Sequence, residues 1–426
     1  MDWAYLVISV NGAAYTINAY KPRALAKRIG PLYAFSFMAS WLTIELAWLN
    51  LVGQIAITTY FARKGALRSR AGKLGLLINV VTCVGLVGLV LRSLNVRHEV
   101  RSAFHDYEAP SLDKTRLKIR RIRNIEFAKV GRKSLKMDVT LPRSPIEPGM
   151  KRPAIVQIHG GAWVIGDKRE QGLPLLRHLA ERGWVGFNVN YRLSPRATYP
   201  DHIIDVKRAL AYIREHADEW GIDPDFIAVT GGSAGGHLTA MMALTPDDTS
   251  LQPGFEGADL SVQAAVPFYG FYDFTNRNLH YPEAMAARSF IATQVIKADF
   301  ATEPERFSAA SPMDHVRPDA PPFYVIHGTA DTVIPVGQAR DFVEALRAVS
   351  KAPVLYLELE GAQHAFDVFP SIRVNQVVRS VARFLEKVHD EYEAGHDADE
   401  IDDLSLLDAA DAPIADDVSV GDDVNA

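Results

Sequence analysis

Cysteine is almost absent from this chain of 426 residues. Cys83 is the single cysteine, so the chain can form no internal disulfide and no zinc site built from several thiolates. The net charge is also small, at −5, which argues against the strongly basic surface of a dedicated nucleic-acid-binding protein. Hydrophobic residues make up 48% and charged residues 23%, values typical of a folded globular protein.

Charge is scarce in two stretches near the N-terminus. Glu45 is the only charged residue between Pro31 and Phe61, and residues 74–91 carry no charge. Both stretches are long enough to cross the hydrocarbon core of a bilayer, and aromatic and basic residues flank the first one. The sequence therefore predicts a transmembrane helical hairpin in residues 31–95, with helices at about 31–61 and 74–92. An integral membrane protein in contact with lipids follows from this, and a buried hairpin of a soluble protein is the alternative.

The segments around this predicted hairpin differ in charge. Residues 1–30 contain a moderately apolar run, which predicts an interfacial helix or a weak membrane segment. Residues 96–123 are predicted to form a basic linker, whose basic run at 114–123 lies on anionic headgroups or forms a solvated loop or an edge strand. Basic residues are nearly balanced on the two sides, so the sequence leaves open which side of the membrane the C-terminal domain faces. Residues 390–426 carry 14 acidic residues and no lysine or arginine, which predicts a disordered acidic tail.

Residues 124–389 alternate between buried strands and amphipathic helices. Apolar runs predict strands at 154–158, 185–189, 226–229, 262–268, 323–326 and 354–357. This succession predicts a mainly parallel sheet with helices on both faces, and two alternating segments at 125–130 and 135–141 add antiparallel strands at one edge. Residues 272–321 lack a convincing core strand and are predicted to form a cap over the site.

A glycine-rich turn follows one of these strands and opens a helix. Its sequence Gly231-Gly232-Ser233-Ala234-Gly235 matches a nucleophile elbow, in which side chains at Gly231 and Gly235 would collide with the adjoining elements. Ser233 is therefore the predicted nucleophile. A phosphate-binding turn is the alternative, but the lysine and hydroxyl residue of a P-loop are absent.

A second motif, His159-Gly160-Gly161-Ala162-Trp163, directly follows the strand at 154–158. Consecutive glycines allow backbone N–H groups to approach a substrate oxygen. We predict an oxyanion hole formed by the N–H groups of Gly160, Gly161 and Ala234. His159 is expected to orient this loop, and Trp163 supports the same motif. A simple tight turn is the alternative.

A nucleophilic serine needs a base and an acid, which in this architecture follow it in the order serine, acid, histidine. Asp331 comes just after the strand at 323–326, and His364 comes just after the strand at 354–357. We predict that His364 is the base and that Asp331 orients it. No cluster of ligands points to a metal, and no cofactor is expected.

The motifs HGGAW, YRLSP (Tyr191–Pro195) and GGSAGG, the aspartate of HGTADTVIP and the histidine of GAQHAF resemble those of the α/β-hydrolase superfamily. More narrowly, they are similar to hormone-sensitive-lipase-type carboxylesterases and their bacterial relatives. With the apolar segments in front, the chain also resembles the membrane-anchored lipase/esterase group of actinobacteria. The resemblance covers roughly residues 124–389 and implies an α/β-hydrolase fold and serine esterase activity. Ala162 and Gly232 depart from it, since many members have a third glycine and an acidic residue there.

The sequence thus predicts a membrane-anchored serine carboxylesterase or lipase that cleaves small-molecule or lipid esters through an acyl-enzyme. Aryl formamidases and membrane-bound prenylcysteine methylesterases share the HGGxW loop and are the nearest alternatives. An acyltransferase and a catalytically silent binding protein of the same fold also stay open. The acyl-chain length and the oligomeric state are not determined by the sequence.

Overall fold

The structure of the protein is a computed structural model that describes residues 1–22, 31–105, 107–108, 110, 112, 116–145, 149–280 and 289–410. Within these ranges, four α-helices precede the first strand. They are α1 (Asp2–Tyr20), α2 (Pro31–Glu45), α3 (Ala47–Arg63) and α4 (Arg70–Ala103).

A mainly parallel sheet of eight strands follows these helices, with the order β1-β2-β4-β3-β5-β6-β7-β8. The strands are β1 (Ile119–Val130), β2 (Lys133–Pro142), β3 (Arg152–Ile158), β4 (Val185–Val189), β5 (Ile222–Gly232), β6 (Ala264–Phe268), β7 (Phe323–Gly328) and β8 (Val354–Leu359). The β1 and β2 strands pair antiparallel at one edge, and β3 to β8 run parallel. The predicted parallel sheet with an antiparallel edge is confirmed.

Helices cover both faces of this sheet. They are α5 (Leu173–Ala180), α6 (Asp201–Glu215), α7 (Ala217–Trp220), α8 (Ala234–Leu244), α9 (Pro304–Ala309), α10 (Gly337–Val349) and α11 (Ile372–Ala410). One apolar core holds buried side chains of α6, α8 and α10, and a second core on the other face holds those of α5 and α11. Central strands such as β4 are buried along their whole length, as strands covered on both faces require.

The predicted first transmembrane helix is wrong in shape, because α2 and α3 meet at an angle of 87°. Glu45 ends α2 beside this bend and is buried against Arg373 of α11, at a distance of 3.4 Å between the charged atoms. A carboxylate with this partner holds α2 against the domain instead of letting it continue straight into α3. Within the described ranges, α4 is the one helix long and apolar enough to cross a membrane by itself.

The predicted basic linker at 96–123 is too long at both ends, and its last residues form the edge strand that the sequence left open as an alternative. The α4 helix continues to Ala103, and β1 begins at Ile119. Val96 is fully buried, and the Phe104 ring packs edge-on against Tyr324 of β7 at 5.5 Å. These apolar side chains join the second core, which explains why the helix persists beyond the membrane-length stretch.

The predicted disordered tail begins too early. The α11 helix extends to Ala410, and the ring of Tyr392 lies 5.0 Å from that of Phe226. The Tyr392 hydroxyl also donates a hydrogen bond to Asp223. Apolar burial therefore continues the helix past residue 390, and residues 411–426 lie outside the described residues.

The predicted cap insertion at 272–321 contains no strand in its described residues, 272–280 and 289–321. It includes a π-helix at Ile291–Ile296 and α9, and Phe307 of α9 is fully buried in the first core. The Ala310 carbonyl accepts a hydrogen bond from His237 on α8 at 2.8 Å. The segment is thereby fixed next to the helix that begins at the glycine-rich turn, and its role as a cap stays a prediction.

Candidate active site

Ser233 lies on a sharp turn between the end of β5 and the start of α8. Its φ of 60° is in the left-handed region, which non-glycine residues rarely adopt outside functional sites. A Cβ atom on Gly231 would lie 2.6 Å from the carbonyl oxygens of Ile158 and Gly235, and one on Gly235 would lie 2.1 Å from that of Ile158. Glycine at both positions therefore permits the turn that exposes the serine hydroxyl.

The structure brings Ser233, His364 and Asp331 into one hydrogen-bonded chain. His364 Nε2 lies 2.9 Å from Ser233 Oγ, and His364 Nδ1 lies 2.7 Å from Asp331 Oδ2. The three residues follow β5, β7 and β8, whose carboxyl ends meet at the same edge of the parallel sheet. Ser233 stays partly exposed while Asp331 is fully enclosed, so a substrate can reach the hydroxyl but not the carboxylate.

The Asp331 carboxylate is surrounded by donors. Its Oδ1 accepts the backbone N–H groups of Val333 and Ile334, each at 2.8 Å, and its Oδ2 faces His364 and, at 3.2 Å, His327. Burial by itself would raise the pKa of Asp331, but the two histidines hold this pKa well below its usual range. An ionised carboxylate therefore accepts the Nδ1–H of His364 and leaves Nε2 free to take a proton from the serine.

Sequence reasoning missed the residues that hold His364 from behind. The Gln363 side-chain oxygen accepts the backbone N–H groups of Thr332 and His364 at 2.8 and 2.9 Å. The Tyr269 ring meets the His364 ring edge-on at 4.7 Å, and its hydroxyl donates a hydrogen bond to Asp367. Gln363 stands in the segment GAQHAF, but its partner Thr332 and the Tyr269 partner Asp367 are distant in the sequence, so neither residue signals this role.

One predicted oxyanion donor is already occupied. The Gly160 N–H donates to the Gln171 side-chain oxygen at 2.7 Å, so it is not a free donor in this arrangement, in contrast to the prediction. A Cβ atom on Gly160 would lie 2.6 Å from the Gly232 carbonyl oxygen and 3.0 Å from Ser233 Cβ. The missing side chain of Gly160 lets the loop approach the serine. Gly161, with φ of 119°, has a backbone conformation that favours glycine.

His159 fixes the conformation of this loop. Burial lowers the pKa of His159, so the imidazole is neutral, and its Nδ1 bonds the Gly160 carbonyl at 2.7 Å. The ring stacks on Tyr191 at 4.4 Å, and the Tyr191 hydroxyl donates to the His159 carbonyl. The motifs around residues 159 and 191 therefore support each other.

Trp163 connects the loop to the core. Its indole N–H donates to His237 at 3.2 Å, and its ring lies 5.5 Å from Phe274. Burial lowers the pKa of His237 to about 3, so this histidine stays neutral and packs instead of facing solvent. The neighbouring aromatic side chains of residues 268–274 are buried as well and form core rather than an open pocket wall.

Elsewhere in the described part of the chain, three side chains of α11 place possible metal-ligand atoms within 4.8 Å of one another. They are His389, Asp390 and Glu393. Two of these three residues are exposed, and none of them belongs to the hydrogen-bonded chain that ends at Ser233.

Comparison with known proteins gives matches along most of this chain. The family model BD-FAE matches residues 137–346, a range that includes Ser233 and Asp331. The chain is 39% identical to the probable carboxylic ester hydrolase LipM of Mycobacterium tuberculosis, over 92% of this chain and 94% of that relative. It is 45% identical to the esterase LipQ of the same organism, over 62% of each chain. A probable isoprenylcysteine alpha-carbonyl methylesterase of Arabidopsis thaliana is 28% identical over 55% of this chain and 49% of that relative.

Solved structures give the same fold. A butyrate-bound esterase of Thermogutta terrifontis is 28% identical, with a TM-score of 0.54, and the match covers 62% of this chain and 93% of that chain. A truncated carbohydrate esterase from gut microbiota is 26% identical, with a TM-score of 0.53 over 66% of this chain and 99% of that chain. The sequence identity to LipM over nearly its whole length, together with this fold, shows that the chain belongs to the α/β-hydrolase family of carboxylic ester hydrolases.

Proposed function

We propose that this ester hydrolase is a membrane-anchored serine carboxylesterase or lipase that works through an acyl-enzyme on Ser233. The observation that carries the proposal is the hydrogen-bonded chain from Asp331 through His364 to Ser233, at 2.7 and 2.9 Å. Such a chain gives a weakly nucleophilic hydroxyl a base and gives that base a fixed orientation.

Acylation begins when Ser233 Oγ attacks the ester carbonyl carbon and His364 Nε2 takes the hydroxyl proton. The ionised Asp331 stabilises the imidazolium that forms. The tetrahedral intermediate then expels the alcohol, whose oxygen takes the proton from His364 Nε2. The acyl group stays on Ser233 as an ester.

Deacylation repeats these steps with water. His364 Nε2 removes a proton from a water molecule as the water oxygen attacks the acyl carbonyl carbon. Collapse of the second tetrahedral intermediate releases the carboxylic acid, and the proton returns from His364 to Ser233 Oγ. The enzyme is regenerated without a cofactor in this scheme.

The charge that develops on the carbonyl oxygen needs donors beside Ser233. We assign this role to the backbone N–H groups of Gly161 and Ala234, with Ala234 at the first turn of α8, where the helix dipole favours negative charge. The Gly160 N–H donates to Gln171 and is therefore not assigned this role. Gly160 contributes instead by lacking a side chain, which lets the loop approach Ser233.

Membrane anchoring is supported by the apolar side chains that α1, α3 and α4 leave exposed. Only 28% of the apolar window of α4 is buried, whereas the core helix of a soluble protein is mostly buried. Large exposed apolar residues on these helices include Trp3, Val7, Ile17, Val52, Ile55, Leu77, Val81, Val84 and Leu91. A surface of this kind is favourable in a hydrocarbon phase and costly in water.

A substrate class follows from this anchoring. The far end of α4 is built into the second core through Val96 and Phe104, so the catalytic domain would lie at the membrane surface. Esters that partition into the bilayer are therefore the favoured substrates. A methyl ester on a membrane-borne molecule is a second candidate, supported by the similarity to the Arabidopsis methylesterase.

Burst kinetics test the proposal. Detergent-solubilised wild type and Ser233→Ala are mixed with p-nitrophenyl esters from acetyl to palmitoyl, and p-nitrophenol release is followed. We expect a stoichiometric burst in the wild type and none in the variant. The preferred chain length separates an esterase from a lipase. Equal, burst-free activity in both proteins would contradict an acyl-enzyme on Ser233.

A further inference from the structure

The second half of α2 contacts the loop that carries His364. Gln363, just before the histidine, donates from its side-chain nitrogen to Ser40 Oγ at 3.0 Å. The Trp41 indole N–H donates to the carbonyl of Ala365, just after the histidine, at 3.0 Å. Two consecutive residues of α2 therefore hold the two neighbours of His364.

The contact at Gln363 reaches both the acid and the base. Its side-chain oxygen accepts the N–H groups of Thr332, next to Asp331, and of His364. This amide is fully buried, so its nitrogen needs an acceptor, and Ser40 supplies it. The Ser40 hydroxyl is oriented for this role because it donates its own proton to the Phe37 carbonyl at 2.8 Å. Removing the Ser40 hydroxyl would leave the amide nitrogen unpaired and loosen the link between the two catalytic loops.

The contact at Ala365 holds an unusual backbone conformation. Ala365 has a φ of 57°, in the left-handed region that residues other than glycine rarely adopt. The Trp41 bond to its carbonyl and the Trp41 ring, 4.8 Å from that of Phe369, hold the chain on both sides of the turn. Without the indole N–H, the residue after His364 would lose this support.

A buried ion pair fixes α2 in this position. The side chains of Glu45 and Arg373 are 0% and 1% exposed, and Glu45 also accepts a hydrogen bond from Ser371 at 2.8 Å. Ser371 and Arg373, the two partners of Glu45, lie where the loop after His364 ends and α11 begins. The bend after Glu45 then lets α3 leave at 87° while α2 stays on the domain.

We propose that α2 is a positioning element of the catalytic centre, in which Ser40 and Trp41 keep His364 between Asp331 and Ser233. This inference rests on the proposed serine mechanism. It makes the N-terminal helices part of the machinery for ester hydrolysis as well as the membrane anchor. If α2 were only a tether, its side chains would affect where the enzyme lies but not how fast Ser233 reacts.

The test compares two variants of α2 with two matched controls in the full-length protein. Ser40→Ala removes the hydroxyl, and Trp41→Phe removes the indole N–H but keeps an aromatic ring. Met38→Ala and Leu42→Ala are controls on the same helix, at residues 45% and 39% exposed. Ser40→Thr restores the hydroxyl. The measurements are the acylation rate constant and KM with one p-nitrophenyl ester, the rate of Ser233 labelling by a fluorophosphonate, and Tm.

We expect Ser40→Ala and Trp41→Phe each to slow acylation and labelling by about tenfold, the effect of one lost hydrogen bond in the site. We expect KM to stay within about twofold, because neither residue is proposed to contact the substrate. Ser40→Thr should recover most of the rate, and the two controls should match the wild type.

Wild-type labelling and acylation rates in both variants would overturn the inference, as would equal losses in the controls. Failure of the proposed function is distinguishable, because the wild type itself would then show no burst and no labelling that depends on Ser233. If Ser40→Ala does not fold, Trp41→Phe gives the same comparison with a side chain that preserves the packing.

Discussion

At the scale of single residues, the proposed mechanism depends on buried polar groups whose hydrogen bonds leave them little freedom. Asp331 accepts bonds from two backbone N–H groups and from His364, so its carboxylate can take up only one orientation. The imidazole of His364 is in turn oriented by that carboxylate and enclosed by Tyr269. In the proposed mechanism, His364 and the charged Asp331 orient and activate the Ser233 hydroxyl, and no metal or cofactor takes part.

Asp331→Asn tests the orienting role of the acid. The amide has nearly the same shape but no charge, and its nitrogen is a donor where His364 needs an acceptor. We expect kcat to fall by about 10⁴-fold, with Tm close to that of the wild type. Asp319→Asn, at an exposed ion pair with Arg317, is the matched control. A loss of less than about tenfold in kcat would mean that Asp331 does not orient the base.

The neutral histidines of the core make stability depend on pH. Burial lowers the pKa of His237 to about 3 and that of His202 to about 4, whereas an unfolded histidine titrates near 6.5. Well above pH 6.5 these histidines are neutral in both the folded and the unfolded protein, so they do not lower the free energy of unfolding. As pH falls from 6.5 towards 4, the unfolded chain binds protons that the folded protein does not, so Tm should fall.

His237→Gln checks this dependence. The glutamine can accept from Trp163 and donate to Ala310, as the histidine does, but it does not titrate. We expect Tm to decrease less steeply between pH 6.5 and 4 in the variant. The unfolded variant binds about one proton fewer than the unfolded wild type in this range, which reduces the pH dependence of the free energy of unfolding. Identical pH profiles for the two proteins would be inconsistent with a neutral, buried His237.

At the scale of elements, local pattern located the strands well and the contacts between distant elements poorly. The apolar run at 185–189 is β4 to the residue, because a strand buried on both faces has a continuous apolar signal. The turn around Ser233 was also readable, since its glycines are required by local sterics. The bend after Glu45 was not readable from the sequence, because Glu45 and its hydrogen-bond partner Ser371 are 326 positions apart. The pairing of the Gly160 N–H with Gln171, 11 positions away, was also not readable, because a single glutamine in a loop carries no local signal for such a contact.

Gly160→Ala tests the close approach of the loop to the elbow. The added Cβ would lie 2.6 Å from the Gly232 carbonyl oxygen, so the backbone of one element must shift. We expect ester hydrolysis to fall by at least about 10²-fold, because a displacement of this size misplaces the reacting groups. Gly257→Ala is the control, since a Cβ there meets nothing within 4 Å. Unchanged hydrolysis in Gly160→Ala would contradict the close contact.

At the scale of the whole molecule, the N-terminal helices and the catalytic domain share apolar packing. The α4 helix begins beside α1 and α3, where apolar side chains are exposed, and ends in the second core beneath the sheet. One long continuous helix therefore belongs to the proposed anchor and also packs directly on the domain. This arrangement would hold the active site at a fixed position relative to the bilayer.

Extraction of membranes tests the anchor. We expect the full-length protein to stay with the membrane pellet in alkaline carbonate and to be released by detergent, because exposed apolar side chains of α1, α3 and α4 are favourable only in hydrocarbon. Val84→Arg, at a residue 68% exposed on α4, should increase the fraction released by carbonate. Quantitative release of the wild type by carbonate would rule out an integral anchor.

The mass of the trapped intermediate shows directly whether Ser233 carries the acyl group. Wild-type protein is mixed with p-nitrophenyl butyrate, quenched in acid within the burst, and digested for peptide mass spectrometry. We expect a butyryl adduct on the peptide that contains Ser233, located on that serine by fragmentation and missing from Ser233→Ala. Turnover of the ester without any adduct, or an adduct on another residue, would contradict the mechanism.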